Sequence, residues 1–378
     1  MSHGVWDEQD PLGHRQLADV GTLALEARGA LPDVRVSYET WGQLNAARDN
    51  AVLVLHALTG DSHVAGPAGP GHPTAGWWDA LVGPGRALDT DRWFVVAPNV
   101  LGGCQGTTGP ASTAPDGRAW GSRFPFLTVR DQVAAEARLA DVLGVETWAL
   151  VVGGSMGGMR ALEWAATYPG RVRSAVVLAS GAYATAEQIA WCQPQLLAIR
   201  SDPAWLGGDY DRAGAGPVAG LGIARRIAHV TYRSERELAQ RFGRDAQAGE
   251  VPLGGGGRYA VESYLDHHAD KLARRFDAGS YVVLTEAMSS HDVGRGRGGV
   301  RAALHRVTAD LHVVAVDSDR LYPPRLSEEL VAAAPTARPL RTVESEYGHD
   351  GFLIETHQVG AAVREALGCP AVIASPAG

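Results

Sequence analysis

Lysine is all but missing from this chain. Lys271 is the only one, so arginine carries nearly all the positive charge. No segment gathers that charge into a basic run, and the net charge is −8, which argues against a nucleic-acid partner. Cysteine is scarce too. Cys104, Cys192 and Cys369 lie far apart and form no Cys-x-x-Cys pair, a pattern of a reducing compartment rather than of a disulfide framework. No apolar run approaches the ~18 residues that a membrane helix requires. The start, Met1-Ser2-His3-Gly4-Val5-Trp6-Asp7-Glu8, lacks the basic and apolar regions of a secretory signal. The expectation is a cytoplasmic protein with no membrane or nucleic-acid partner. Internal repeats are absent, and the first dozen or so residues and the tail after Cys369 read as uninformative, disordered ends.

What remains is long and rich in glycine. A chain of 378 residues calls for one large domain with an insertion, or for two domains. Alternation in Val34-Arg35-Val36-Ser37-Tyr38 reads as antiparallel strand. After it come short continuous apolar runs: Ala51–Leu55, Trp93–Ala97, Trp148–Val152, Ser174–Leu178 and Leu311–Val316, with a last short strand at Leu340–Val343. Helical spacing occupies Arg130–Leu143 and Met156–Tyr168. Such runs with helices between them predict a mostly parallel sheet covered on both faces.

From Tyr183 to about Arg297 the strand signals stop. Helical patterns cover Thr185–Arg200, Gly220–Tyr232, Ser234–Phe242, Val261–Phe276 and Tyr281–Ser289, and Ser234 with Glu237 has capping-box spacing. The expected division is a core in two parts, 1–182 and 298–378, with an all-helical lid at 183–297 inserted between core strands. Gly294-Arg295-Gly296-Arg297-Gly298-Gly299 follows no strand and lacks the Lys-Ser/Thr of a phosphate-binding loop; it reads as a flexible return from lid to core.

Chemistry concentrates at Gly153-Gly154-Ser155-Met156-Gly157. A strand ends there and a helix begins, the order of a nucleophile elbow. The pattern by itself is weak among 47 glycines, and its bland reading is a tight strand-to-helix turn. Context strengthens it. A serine nucleophile needs a base, and the base needs an orienting carboxylate; in α/β-hydrolases the chain order is Ser, acid, His. Val316-Asp317-Ser318-Asp319 follows a core strand. Asp317 can simply terminate that strand, and Asp319, further into the loop, is the favoured acid. His349, in a glycine-flanked loop between the last strand and a helix expected over Phe352–Leu367, is the favoured base. The backbone N–H groups of Leu58, after an early strand, and of Met156 are the expected oxyanion donors. His56, His63 and Asp61 share the Leu58 loop, but their spacing fits no familiar metal pattern, so no metal is expected.

Several longer segments resemble the homoserine O-acetyltransferase family. They are His56-Ala57-Leu58-Thr59-Gly60-Asp61-Ser62-His63-Val64, Gly76-Trp77-Trp78-Asp79, and Asn99-Val100-Leu101-Gly102-Gly103-Cys104-Gln105-Gly106-Thr107-Thr108-Gly109-Pro110. Gly153–Gly158, Ser318–Pro323 and Tyr347–Phe352 match as well, so the resemblance runs from about residue 15 to 367. It implies an α/β-hydrolase fold, acetyl transfer from the co-substrate acetyl-CoA to L-homoserine on the route to methionine, and no permanently bound cofactor. It also implies a homodimer assembled through the lid. By motif, Ser155, Asp319 and His349 are the implied triad. Arg225 is the implied ligand of the homoserine carboxylate, with Arg226 as the alternative register, and Asp350 the ligand of its ammonium. A lid-surface salt bridge for Arg225 and a helix N-cap for Asp350 are the competing readings. The expected chemistry is ping-pong through an acyl-serine. Succinyl transfer, serine as acceptor, an esterase or thioesterase with the same triad, and a non-catalytic binding protein of this fold are the rivals.

Overall fold

The computed structural model describes residues 10–210 and 216–369. The expected disorder of residues 1–9 and 370–378 lies outside them. Eight strands form one sheet: β1 (Gln16–Ala24), β2 (Ala30–Trp41), β3 (Ala51–Leu55), β4 (Phe94–Pro98), β5 (Leu150–Gly154), β6 (Ser174–Leu178), β7 (Asp310–Val316) and β8 (Arg341–Val343). Their spatial order is β1-β2-β4-β3-β5-β6-β7-β8. The β1/β2 and β2/β4 pairs are antiparallel and the rest parallel.

The central strands are short and apolar throughout because both faces are covered. Successive side chains go to opposite faces. Leu53, Leu55, Val151, Val177 and Val313 enter one core with α1 (Val129–Leu143) and α2 (Met156–Thr167). Val52, Val54, Val152, Val176 and Val314 enter the other, with Trp78 and Phe352. Each such side chain, fully buried, contributes roughly 1.5–3 kcal/mol. Thr128 and Asp131 form a complete capping box on α1, and Gly144, with φ +68°, ends that helix in a left-handed cap.

Between β6 and β7 the described chain is helical: α3 (Ala186–Arg200), α4 (Val218–Tyr232), α5 (Glu235–Phe242), α6 (Ala260–Ala273) and α7 (Ala278–Ser289). Leu221, Ala224, Leu272, Phe276, Tyr281 and Leu284 of this insertion share one apolar cluster with Leu58 and Met156 of the core. The insertion therefore sits directly over the loops that follow β3 and β5. The chain continues through α8 (Val300–Leu304), α9 (Pro324–Ala333), α10 (Gly351–Ile354) and α11 (Thr356–Ala366).

Three expectations need correction. The single helix expected over Phe352–Leu367 is two helices, α10 and α11, interrupted at Glu355, whose ψ is +55°. Phe352, Val359 and Val363 all enter the same core, so the apolar spacing runs unbroken through the interruption and hid it. The capping box at Ser234 is half formed. Ser234 Oγ accepts from Glu237 N–H at 3.0 Å, but the Glu237 carboxylate pairs with Arg233 instead. The glycine-rich return is braced rather than loose, because Arg295 pairs with Glu26 at 2.8 Å and Arg297 with buried Glu163 at 2.5 Å.

Candidate active site

Ser155 occupies the turn between β5 and α2 with φ +57° and ψ −123°, a region that non-glycine residues rarely enter. Holding it there costs on the order of 1–3 kcal/mol, and the surrounding contacts over-determine it. Its N–H donates to Leu178 O at 3.0 Å and its carbonyl accepts from Met159 N–H at 3.1 Å. Gly157 brings the start of α2 against the end of β3; a Cβ there would collide with the Leu55 carbonyl. Ser155 is thus lifted out of the sheet plane at the strand's carboxyl end, beside the loop that carries Leu58.

The two aspartates after β7 separate cleanly. Asp317 Oδ1 accepts from Ser345 N–H at 2.9 Å and fastens one loop to the next. Asp319, 3% exposed, meets His349 Nδ1 through Oδ2 at 2.6 Å, while its Oδ1 accepts the N–H groups of Leu321 and Tyr322, each at 2.8 Å. A carboxylate only accepts, so His349 carries its proton on Nδ1 and presents a bare Nε2. That Nε2 is buried and has no hydrogen-bond partner among the described residues. Tyr322 stacks on the imidazole at 5.1 Å between ring centroids, and Phe352 meets its edge at 5.4 Å. Phe352 also packs on Gly154 so closely that a Cβ there would enter its ring, which ties the histidine loop to the elbow. Burial disfavours the imidazolium, but the Asp319 charge and hydrogen bond outweigh it, and the His349 pKa is raised above its ordinary value.

Met156 N–H is the first of α2 and has no intrahelical acceptor. Leu58 N–H makes no hydrogen bond to protein among the described residues. The side chains of both are buried in the apolar cluster shared with the helical insertion.

The structure also separates the two neighbouring arginines. Arg226 is held by Asp266 on α6 at 2.7 Å. Arg225 points the other way. Its Nη1 reaches Thr59 Oγ1 at 3.3 Å, its guanidinium lies 5.6 Å from the Tyr232 ring, and Tyr232 in turn lies 5.9 Å from the His349 ring. Arg225 Nε is buried without a hydrogen-bond partner among the described residues. Asp350 stands at the N-cap position of α10 but makes no side-chain cap hydrogen bond; its Oδ2 accepts instead from Arg233 Nη1 at 3.1 Å. Burial raises the Asp350 pKa against the nearby charges of His349, Arg233 and Arg225. Thr59, Tyr322 and Arg233 were not singled out in the sequence. Arg233 had no visible signal, since its partner Asp350 lies far along the chain, beyond β7 and β8.

His56 and His63 do not converge. His56 Nδ1 bonds Ala57 O at 2.7 Å and its Nε2 accepts from Val100 N–H at 3.0 Å, so both ring nitrogens are taken by backbone. His63 turns to Glu39 at 3.0 Å and stacks on His72 with ring centroids 3.8 Å apart and planes 14° apart. Glu39, His63 and His72 are close enough to be tested as a metal site. His72 Nε2 already accepts from His14 N–H at 3.1 Å, however, and two imidazoles in nearly parallel planes 3.8 Å apart cannot both aim an in-plane lone pair at one ion. Among the described residues no helix is long and apolar enough to cross a membrane.

Residues 50–356 match the family model described as alpha/beta hydrolase fold. A homoserine O-acetyltransferase of Thermobifida fusca (strain YX) is 65% identical over 366 residues, covering 96% of each chain. One from Mycobacterium bovis (strain BCG / Pasteur 1173P2) is 58% identical over 94% of each. Among solved structures, a homoserine O-acetyltransferase from Bacillus anthracis superposes with TM-score 0.86 at 27% identity, covering 93% of this chain and 97% of that one. Esterase E22 superposes with TM-score 0.85 at 26% identity, covering 93% and 99%.

Proposed function

Because this chain belongs to the homoserine O-acetyltransferase family of the α/β-hydrolase fold, and is an acyltransferase, we propose that it moves the acetyl group of acetyl-CoA onto the hydroxyl of L-homoserine through an acyl-serine. In the first half-reaction His349 Nε2 takes the Ser155 proton while Oγ attacks the thioester carbonyl. The Leu58 and Met156 N–H groups hold the oxyanion, and the CoA sulfur leaves with the proton from His349. In the second, the homoserine hydroxyl gives its proton to His349 and attacks the acetyl carbon. Ser155 Oγ leaves and recovers its proton.

The observation that carries transfer over hydrolysis is the buried, unpartnered Nε of Arg225 beside the His349–Tyr232 wall. A buried guanidinium N–H without an acceptor is costly unless a ligand supplies one. An α-carboxylate fits it, and Asp350, one residue from the base and bound to Arg233 through Oδ2, offers Oδ1 to the α-ammonium. Arg226, already paired, is the poorer choice. An acceptor gripped at both ends outcompetes water through effective concentration, and the lid of residues 183–297 keeps water out. The likeness to a solved esterase supports one second reading, hydrolysis by the same triad.

A CoA-release assay crossing acetyl-CoA and succinyl-CoA with homoserine, serine and no acceptor separates the readings. Release with acetyl-CoA that depends on homoserine is expected. Equal release without an acceptor would make the protein a thioesterase. Ser155→Ala should abolish the acetyl adduct seen by intact mass, and a persisting adduct would remove Ser155 from the nucleophile's role.

The same proposal includes a homodimer through the lid, supported by the exposed apolar side chains Trp191, Leu197, Val218 and Ile223 on α3 and α4. It includes a cytoplasmic location, a place in methionine synthesis and small-molecule partners only, to which the net charge of −8 and the sparse cysteines are suited.

A further inference from the structure

The two proposed oxyanion donors sit on different elements, Leu58 on the loop after β3 and Met156 at the start of α2. Their aim must agree to within a fraction of an ångström for the pair to act on one oxygen. We propose that His56 is a positioning residue that aims the Leu58 N–H at the oxyanion by gripping the carbonyl of the same peptide unit. This rests on the reading of Leu58 as an oxyanion donor.

The Ala57 carbonyl and the Leu58 N–H belong to one planar unit, and the described chain contains no cis peptide bond. In a trans unit the two dipoles point in opposite directions, so fixing the oxygen fixes the N–H. His56 Nδ1 lies 2.7 Å from Ala57 O, and Gly60 N–H donates to the same oxygen at 2.9 Å. The tautomer is determined by the opposite edge of the ring. Val100 N–H donates to His56 Nε2 at 3.0 Å, so Nε2 is bare and the proton is on Nδ1, pointing at the Ala57 carbonyl. Burial, helped by the Arg160 charge, drives the His56 pKa well below its ordinary value and keeps the ring neutral in that tautomer.

The preceding peptide is tied to the other donor's helix. Arg160 of α2 is fully buried and donates to His56 O at 2.6 Å. Its other terminal nitrogen meets Glu136 at 2.7 Å, and Trp164 Nε1 holds the second Glu136 oxygen at 2.7 Å. The Leu58 peptide is thus anchored to α1 and α2, the helix whose first N–H is the partner donor. Charge that develops on the oxyanion polarises the Leu58 amide, and the His56 hydrogen bond on its carbonyl strengthens in step.

Two substitutions divide the ring's contacts. His56→Asn places an amide nitrogen near Nδ1 and keeps the grip on Ala57 O; His56→Gln places an amide oxygen near Nε2 and keeps only the acceptor for Val100. Burst kinetics of CoA release measure acylation, and denaturant midpoints measure stability. The expected result is similar destabilisation of both variants, with acylation slowed about ten- to hundred-fold in His56→Gln at little-changed acetyl-CoA KM, and within about three-fold of wild type in His56→Asn. Equal rates in the two variants would overturn the proposal.

Should neither variant fold, the wild type still decides. The His56 Nδ1 proton, followed by NMR, should shift when a boronic acid forms a tetrahedral adduct on Ser155, and an unmoved resonance would refute the coupling. Replacing Leu58 by its α-hydroxy acid removes the N–H itself. A loss of about 10²–10³ in acylation is expected. If that ester variant is fully active, the oxyanion reading of Leu58 falls. If it is crippled while His56→Gln is not, Leu58 stands and His56 falls.

Discussion

Arg225→Met removes the guanidinium that lies over Tyr232 while keeping an unbranched apolar stem. In the free protein the guanidinium has a 3.3 Å contact with Thr59 Oγ1 and lies 5.6 Å from the Tyr232 ring, and its Nε is buried without an acceptor among the described residues. Little native hydrogen bonding is therefore lost, and the fold should tolerate the change. A bound α-carboxylate forms one or two charge-assisted hydrogen bonds to this group, worth about 1.5–3 kcal/mol each. At about 1.4 kcal/mol per factor of ten, losing one raises the homoserine KM by roughly 10- to 150-fold. Initial rates with homoserine varied at saturating acetyl-CoA measure this, and intact-mass acetylation of Ser155 should proceed at the wild-type rate. Arg226→Met breaks a partly exposed pair with Asp266 and should leave the homoserine KM within about two- to three-fold. An unchanged homoserine KM in Arg225→Met, or an equal rise in Arg226→Met, would refute the assignment of the carboxylate to Arg225.

Three further results are expected. His349 must be neutral to accept the Ser155 proton, and its pKa is raised by Asp319, so kcat/KM for acetyl-CoA should rise with pH through an apparent pKa above the ordinary histidine value. Asp319→Asn removes the raising charge and the tautomer control, so kcat should fall about 10⁴-fold and the residual limb move to lower pH; a limb that stays in place would exclude Asp319 as the partner. Glu136→Gln leaves the Arg160 guanidinium buried without its counter-charge while preserving the volume, and should cost about 3–5 kcal/mol in chemical denaturation, against less than 1 kcal/mol for the exposed Arg325–Glu329 pair.

Core strands and the elbow were legible in the chain because a short all-apolar run has few other uses. Ala51–Leu55 and Ser174–Leu178 agree residue for residue with the observed strands. The order serine, acid, histidine was legible as well, since each candidate follows a strand end in turn. The choice between Asp317 and Asp319 was weaker: two residues apart on one loop, their roles depend on which carboxylate meets His349 and which meets Ser345. The interruption at Glu355 was invisible because the helical periodicity carries through it.

By itself the sequence determined the parallel sheet, the inserted helices and which residue types could act, because periodicity and chain order are local properties. It favoured Arg225 over Arg226 by motif register alone, since adjacent helical residues differ only by about 100° of rotation. Tertiary packing sets them apart, with Asp266 against Arg226 and Thr59 against Arg225, and the proposed choice of Arg225 rests on that difference. Packing alone also brought Arg233 to Asp350 and set His56 behind the Leu58 peptide, contacts 117 residues apart in the first case and one residue apart in the second. Separation along the chain is therefore no guide to them; they depend on direction, which only the folded backbone supplies.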